Sequence, residues 1–198
     1  MATRLNILPD ERFVPLRGAL NERLLAVGDS VSSENFADIC EGMIHYILTQ
    51  SFEQVGVREG VVWLLNARKD ALSPSFGIGP HSERLVASDY EQPLREGIVS
   101  MVTMTEQPFL ENEVYKNAKH SKMVDQKLGQ QTDAMIVVPF YFLRQCRGVI
   151  SCVHVKHSDD ASSQPPTFKP EDLKTMMRAS AVITELIDYR LLKQTIQW

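Results

Sequence analysis

Cys152 and His154 stand two residues apart in the apolar run Val149 to Val155, and on an extended strand that spacing turns both side chains to one face. A thiolate and an imidazole so placed are two of the four ligands that a zinc ion takes. Other donors are scattered: Cys146 in the polar link RQCRG, and Glu111, Glu113 and His120 in an irregular stretch that reaches the pair only through the fold. Two ligands do not make a site, so the pair reads as a packed cysteine and a hydrogen-bonded histidine. A redox or nucleophilic thiol needs a depressed pKa. Cys40 falls on the apolar stripe of a helix and Cys152 within a strand, both of which suit burial. His45, about half a turn around from Phe36, reads as solvated or subunit-facing. No Gly-rich phosphate loop, HExxH pair or GxSxG elbow occurs in the sequence, which removes the commoner catalytic routes.

The whole composition narrows the classes further. Lys and Arg number 21 against 25 Asp and Glu, a net charge of −4, and no long basic run appears, so nucleic acid is a poor partner. The charged opening MATRLNILPDERF leaves no apolar core of signal-peptide length. Three cysteines without regular spacing suit a reducing compartment, and the expectation is a cytoplasmic protein. Ala134 to Leu143, the longest apolar stretch, is about half the length of a membrane-spanning helix.

Those residues must be positioned by a mixed set of elements. Leu16, Leu20, Leu24 and Val27 recur at helical spacing ahead of Gly28, predicting a short amphipathic helix. A second helix is expected from Ser32 or Ser33 to Gly56, burying Phe36, Ile39, Cys40, Met43, Ile44, Ile47 and Leu48. Gly60 to Asn66 reads as a buried strand, and ALSPSFGIG as an irregular segment at a sheet edge or turn. A short helix follows within Pro93 to Gln107, then a loop with a small helix around Ser121 to Leu128. Ala134–Leu143 and Val149–Val155 are apolar on both alternating sets and predict a hairpin covered on both faces. Pro139 should sit at a bulge or where its nitrogen faces away from the partner strand. HSDDASSQPPT is the expected flexible loop. Pro170, Glu171 and Asp172 open a long helix whose apolar residues spread too widely for one face and so call for two partners.

With this order on the page, local wording resembles a GAF domain over roughly Glu34 to Leu192. PLREGIVSMVTMTEQPFLENEV looks like that family's helix-to-strand passage. DAMIVVPFYFLRQCRGVISCVHV resembles its hairpin, with Val138 and Pro139 matching a Val-Pro and Gly148 the glycine after the turn. Phe168, Pro170, Glu171, Asp172 and Leu173 resemble the start of its closing helix. The resemblance implies an α+β fold, profilin-like and related to PAS domains, with a central antiparallel sheet of five or six strands. It places the N- and C-terminal helices on one face, and short helices and loops over the other, where a small molecule is held. It also implies dimerisation through the first and last helices. On this division 1–33 is an N-terminal helical extension, 34–192 the domain, and 193–198 the end of the last helix.

Departures from the family limit the ligand. The Asn-Lys, Phe and Asp-Glu set of cyclic-nucleotide binders has no counterpart, and 107–132 holds no cysteine for a bilin, so the cofactor stays unknown. The Gly-His-Ile-Ala-Cys-Asp element of the methionine-sulfoxide reductase branch is missing too. What the resemblance implies is a non-catalytic sensory or regulatory domain that binds a small molecule and signals to a downstream domain or protein. A structural dimerisation module and, behind it, a reductase are the alternatives. The expected pocket is Trp63 on the first strand, Phe109, Glu111, Tyr115 and His120 in the middle segment, and Phe140 on the hairpin. For each aromatic, plain core packing is the competing role, since burial alone stabilises a large side chain by roughly 1.5–3 kcal/mol.

Overall fold

The computed structural model describes residues 11–39, 42–156 and 166–196. In chain order a 3-10 turn (Glu11–Leu16) leads into α1 (Arg17–Asp29), α2 (Phe36–Ile39) and α3 (Met43–Gln54). Strands β1 (Glu59–Leu65) and β2 (Ala71–Ile78) follow, then α4 (Pro80–Val86), β3 (Gln92–Pro93), α5 (Ile98–Thr105) and β4 (Phe109–Glu111). A second 3-10 turn (Val114–Lys116), α6 (Met123–Leu128), β5 (Gln131–Phe142), β6 (Gln145–Lys156) and α7 (Pro170–Ile196) complete the order.

The twin apolar runs fold as the long β5–β6 hairpin. Its turn is only Leu143 and Arg144, whose φ values of 49° and 63° match the type I′ geometry that follows strand twist. The link expected over RQCRG is therefore mostly strand. Register shifts leave Asp133 and Arg147 without a cross-strand partner, and such bulges bend a strand and sharpen its twist. Ser180 Oγ on α7 donates to the Pro139 carbonyl at 2.8 Å. That residue's backbone edge thus faces out of the hairpin ladder, where a missing N–H leaves no gap. Gly148 is fixed by proximity, because a Cβ there would stand 1.8 Å from the Trp63 carbonyl oxygen on β1.

All pairings are antiparallel, in the order β3-β2-β1-β6-β5-β4. The segment expected to be irregular, ALSPSFGIG, is the eight-residue β2, with its irregularity confined to a bulge opposite Val62 and Trp63. Next to that bulge Pro74 is tolerated, and only Ala71 and Leu72 pair outward with β3.

Strand alternation divides the interior into two cores. Val62, Leu64, Ile136, Val138 and Ile150 face α3 and α7, while Val61, Trp63, Val137 and Val149 face Leu85 of α4 and Ile98 and Val102 of α5. Phe140 belongs to the first set, not to the pocket side where it was expected. Its ring meets Phe36 edge-on at 5.9 Å and Phe142 at 6.1 Å. The reason is parity: Phe140 shares its face with Val138 and Ile136, two and four residues back along β5.

The expected continuous helix from residue 33 to 56 is broken. Gly42, at φ 63°, separates α2 from α3, and Cys40 lies outside the described residues. In α1 the periodic leucines find little to pack on: Leu16, Leu20 and Leu25 are exposed, and only Leu24 and Val27 are half-buried. α7 lays Met176, Ile183, Ile187 and Leu191 on the sheet and against α1 and α3, leaving Met177, Val182, Tyr189 and Leu192 exposed. Of the loop expected to be flexible, 157–165 lies outside the described residues. No helix among the described residues is long and apolar enough to cross a membrane.

Candidate functional site

Between β1, β5 and β6 and their cover of α4, α5 and α6 lies a cavity of about 60 Å³. Its floor is Val61, Trp63, Met135 and Val153 from the strands; its roof includes Leu85, Ile98, Val99 and Leu128. Trp63 donates its indole N–H to Ser151 Oγ at 2.9 Å, so the polar edge of the ring is satisfied inside the wall. Tyr90 crosses Trp63 edge-on at 6.2 Å.

Three polar groupings interrupt these apolar walls. Glu59, at the start of β1 and only 6% exposed, accepts from Ser82 N at 2.9 Å and Ser82 Oγ at 2.8 Å and meets His81 Nδ1 at 3.1 Å. The carboxylate thereby supplies the first turn of α4 with an acceptor that Gly79, which has no side chain, cannot offer. Tyr90 Oη donates to Gln92 Oε1, and Gln92 Nε2 donates to the Glu96 carbonyl at 2.8 Å, fixing that amide beside Gly97. Burial, helped by Glu96, pushes the Tyr90 phenol up to about 12, so it remains a donor at neutral pH.

The third grouping is centred on Asp125 of α6. Its carboxylate meets His120 Nε2 at 3.0 Å and accepts from Thr132 N at 3.0 Å and Thr132 Oγ1 at 2.6 Å. Burial alone would raise the Asp125 carboxyl, but the bonds from His120 and Thr132 outweigh it and hold the group below its ordinary value. Next to it, Gln130 donates its backbone N–H to the Asp125 carbonyl at 3.0 Å, and the buried Gln130 Oε1 has no hydrogen-bond partner. Gly97, His120 and Ser121 line both this cavity and an outer groove of about 590 Å³. Gly97 has φ 83° and no room beside it: a Cβ would stand 3.2 Å from Ser121 Cβ and 3.3 Å from Gln92 Nε2.

Of the six residues expected to form the pocket, Trp63 and His120 line the cavity and the other four do not. Phe109 and Glu111 are on β4, where Phe109 joins the packing of this face and Glu111 accepts from Asn117 Nδ2 at 3.1 Å. Tyr115 is exposed on the second 3-10 turn, and Phe140 lies on the far face. Glu59, Gln92, Asp125 and Gln130 carry no spacing motif; they meet only because α4 and α6 fold back over the sheet.

Among the described residues the thiols sit elsewhere. Cys152 is fully buried on the helix-side face, and burial pushes its thiol strongly up; burial likewise raises Cys146, at the hairpin end. His154 stacks on Phe168 at 4.3 Å, and among the described residues no group of three His, Cys, Asp or Glu is arranged to hold a metal.

No family model and no curated protein matches the sequence. Solved structures do. The GAF domain of an Acinetobacter phosphoenolpyruvate-protein phosphotransferase superposes with a TM-score of 0.57 at 16% identity, covering 91% of this chain and 98% of that one. The GAF-B domain of DevS from Mycobacterium smegmatis gives 0.56 at 13%, covering 77% and 95%. The fold is that of a GAF domain. The free methionine-R-sulfoxide reductase from Neisseria meningitidis, solved with its substrate, gives 0.58 at 15% over 97% of this chain and 98% of its own. At these identities the likeness is one of fold.

Proposed function

We propose that this chain is a non-catalytic sensory or regulatory GAF module of the cytoplasm, which binds a small molecule in the cavity and reports occupancy through its terminal helices. The observation that carries this reading is the double attachment of β5. At one end Thr132 is bonded to Asp125 in the cavity wall. At the other, Thr184 Oγ1 donates to the Tyr141 carbonyl at 2.8 Å, and Asp188 on α7 accepts from Leu143 N at 2.6 Å. A ligand that favours one setting of α6 then biases the setting of α7, which is what coupling requires. The exposed apolar residues of α1 and α7 provide the surface for a homodimer or a downstream signalling partner.

A native mass spectrum with an absorbance scan of the purified protein tests the reading. One small-molecule adduct per chain is expected, absent from a Val153→Phe variant whose ring fills the cavity. An adduct that survives that change would place binding elsewhere. Two alternatives each have an observation behind them. The cavity is small beside the roughly 300–1,000 Å³ of ordinary ligand sites, which favours a purely structural dimerisation module. Likeness to the Neisseria enzyme favours a reductase. Against the reductase stand Cys146 and Cys152, neither of which lines the cavity. Incubation with free methionine sulfoxide and a thiol reductant should give no methionine.

A further inference from the structure

The outer groove that meets the cavity at Gly97 has walls of a different character. At about 590 Å³ it falls within the roughly 300–1,000 Å³ of ordinary ligand sites. Its charged lining is Arg95, Lys119 and one carboxylate, Glu96, with His120 at the inner wall; two cations less one anion leave +1 when that histidine is neutral and +2 when it is protonated. Both cations are available to a guest. Among the described residues neither Arg95 nor Lys119 forms an ion pair, and Lys119 Nζ stands 3.8 Å from Met101 Sδ, a weak acceptor. The neighbouring passage strengthens the field. Lys116 to Lys127 holds four lysines against a single aspartate in a chain of net charge −4, and that aspartate, Asp125, is turned inward onto His120 and Thr132. A positive face on an acidic chain concentrates anions at the groove. Leu94, Met101 and Met104 supply its apolar surface, and thioether side chains adapt to the shape of what they cover.

We propose that the groove is a second binding site, separate from the cavity, for a small oxyanion on a hydrocarbon body: a carboxylate or phosphate held by Arg95 and Lys119, and a short chain over Leu94, Met101 and Met104. A bare ion would leave those apolar groups uncovered, and an amine would meet like charge. Gly97, His120 and Ser121 are wall to both spaces, so a guest in the groove bears on the cavity without entering it.

Protein carbon-13-labelled at the methionine methyls reads the groove directly by NMR, with Met101→Leu and Met104→Leu assigning the two signals. Hexanoate, hexyl phosphate, hexylamine and hexanol are titrated at neutral pH and low, constant ionic strength, with inorganic phosphate as the headgroup alone. Hexanoate or hexyl phosphate should move both signals saturably, the tighter of the two identifying the headgroup, and added salt should weaken binding. Arg95→Gln combined with Lys119→Gln should weaken it about tenfold, the loss of two exposed charge contacts. Both side chains are exposed, so that variant should fold, as its own unfolding midpoint will report. Val153→Phe should leave the affinity unchanged, which separates the groove from any ligand of the cavity. Hexylamine, hexanol or inorganic phosphate binding as tightly as the hexyl anions, an affinity untouched in the double variant, or signals that do not move overturn the groove site and leave the cavity reading standing. Loss of anion binding in Val153→Phe overturns it too, by moving the guest into the cavity.

Discussion

Asp125 ties His120 and Thr132 into the cavity wall, and its titration gives a direct check. His120 and both donors of Thr132 converge on a carboxylate held below its usual value. A depressed folded-state pKa means stability that is present above the unfolded value of 3.8 and is lost as pH falls through the folded one. Asp125→Asn should therefore lower stability at neutral pH by about 1.5–3 kcal/mol. The gap to the parent should hold down to about pH 4 and close progressively below it. Urea titrations across pH measure it, and a gap independent of pH would point to packing instead. On the other face, Phe140→Ala should cost about 3–5 kcal/mol without weakening any ligand, because it empties a core position behind the sheet. Neither role was legible in KMVDQKL or VVPFYF. An aspartate on a short polar helix looks solvated until the following strand folds back on it, and a fully apolar strand does not announce which parity faces which layer.

Elements were easier to read than their breaks. The β5–β6 hairpin, the closing helix and α5 follow from apolar runs and from Pro170 with its acidic first turn. The run from Phe36 to Leu48 kept helical period across Gly42, so the interruption was invisible to spacing; backbone freedom at one glycine decided it. Periodicity did not show β4, because three residues cannot display a period; only the resemblance to a helix-to-strand passage implied a strand after Gln107 and Pro108, and its pairing with Met135, Ile136 and Val137 is a tertiary fact. Asp188→Ala tests the joint between β5 and α7, since it strips the acceptor from Leu143 N. A loss of about 1–3 kcal/mol with an unchanged urea m-value is expected, together with a weaker response of α7 hydrogen exchange to ligand. A response that stays whole would detach α7 from the cavity.

At the scale of the whole molecule, the layered sandwich leaves one helical surface partly uncovered. Met177, Val182, Tyr189 and Leu192 on α7, with Leu16, Leu20 and Leu25 at α1, are apolar and each exposed. The wide apolar spread of α7 was legible in sequence as a demand for two partners; the sheet and neighbouring helices meet part of it, and a second copy is the proposed remainder. Tyr189→Glu combined with Leu192→Glu should convert a dimer to a monomer in sedimentation velocity while leaving the unfolding cooperative. The central claim is that the space between sheet and cover admits a guest, and thermal unfolding of the parent and Val153→Phe proteins against a metabolite panel tests it most directly. A ligand at about 100 times its Kd should stabilise the parent by roughly 2.7 kcal/mol, or about 2–4 °C, and leave the filled variant unmoved. A panel that shifts neither protein, or shifts both alike, would contradict it.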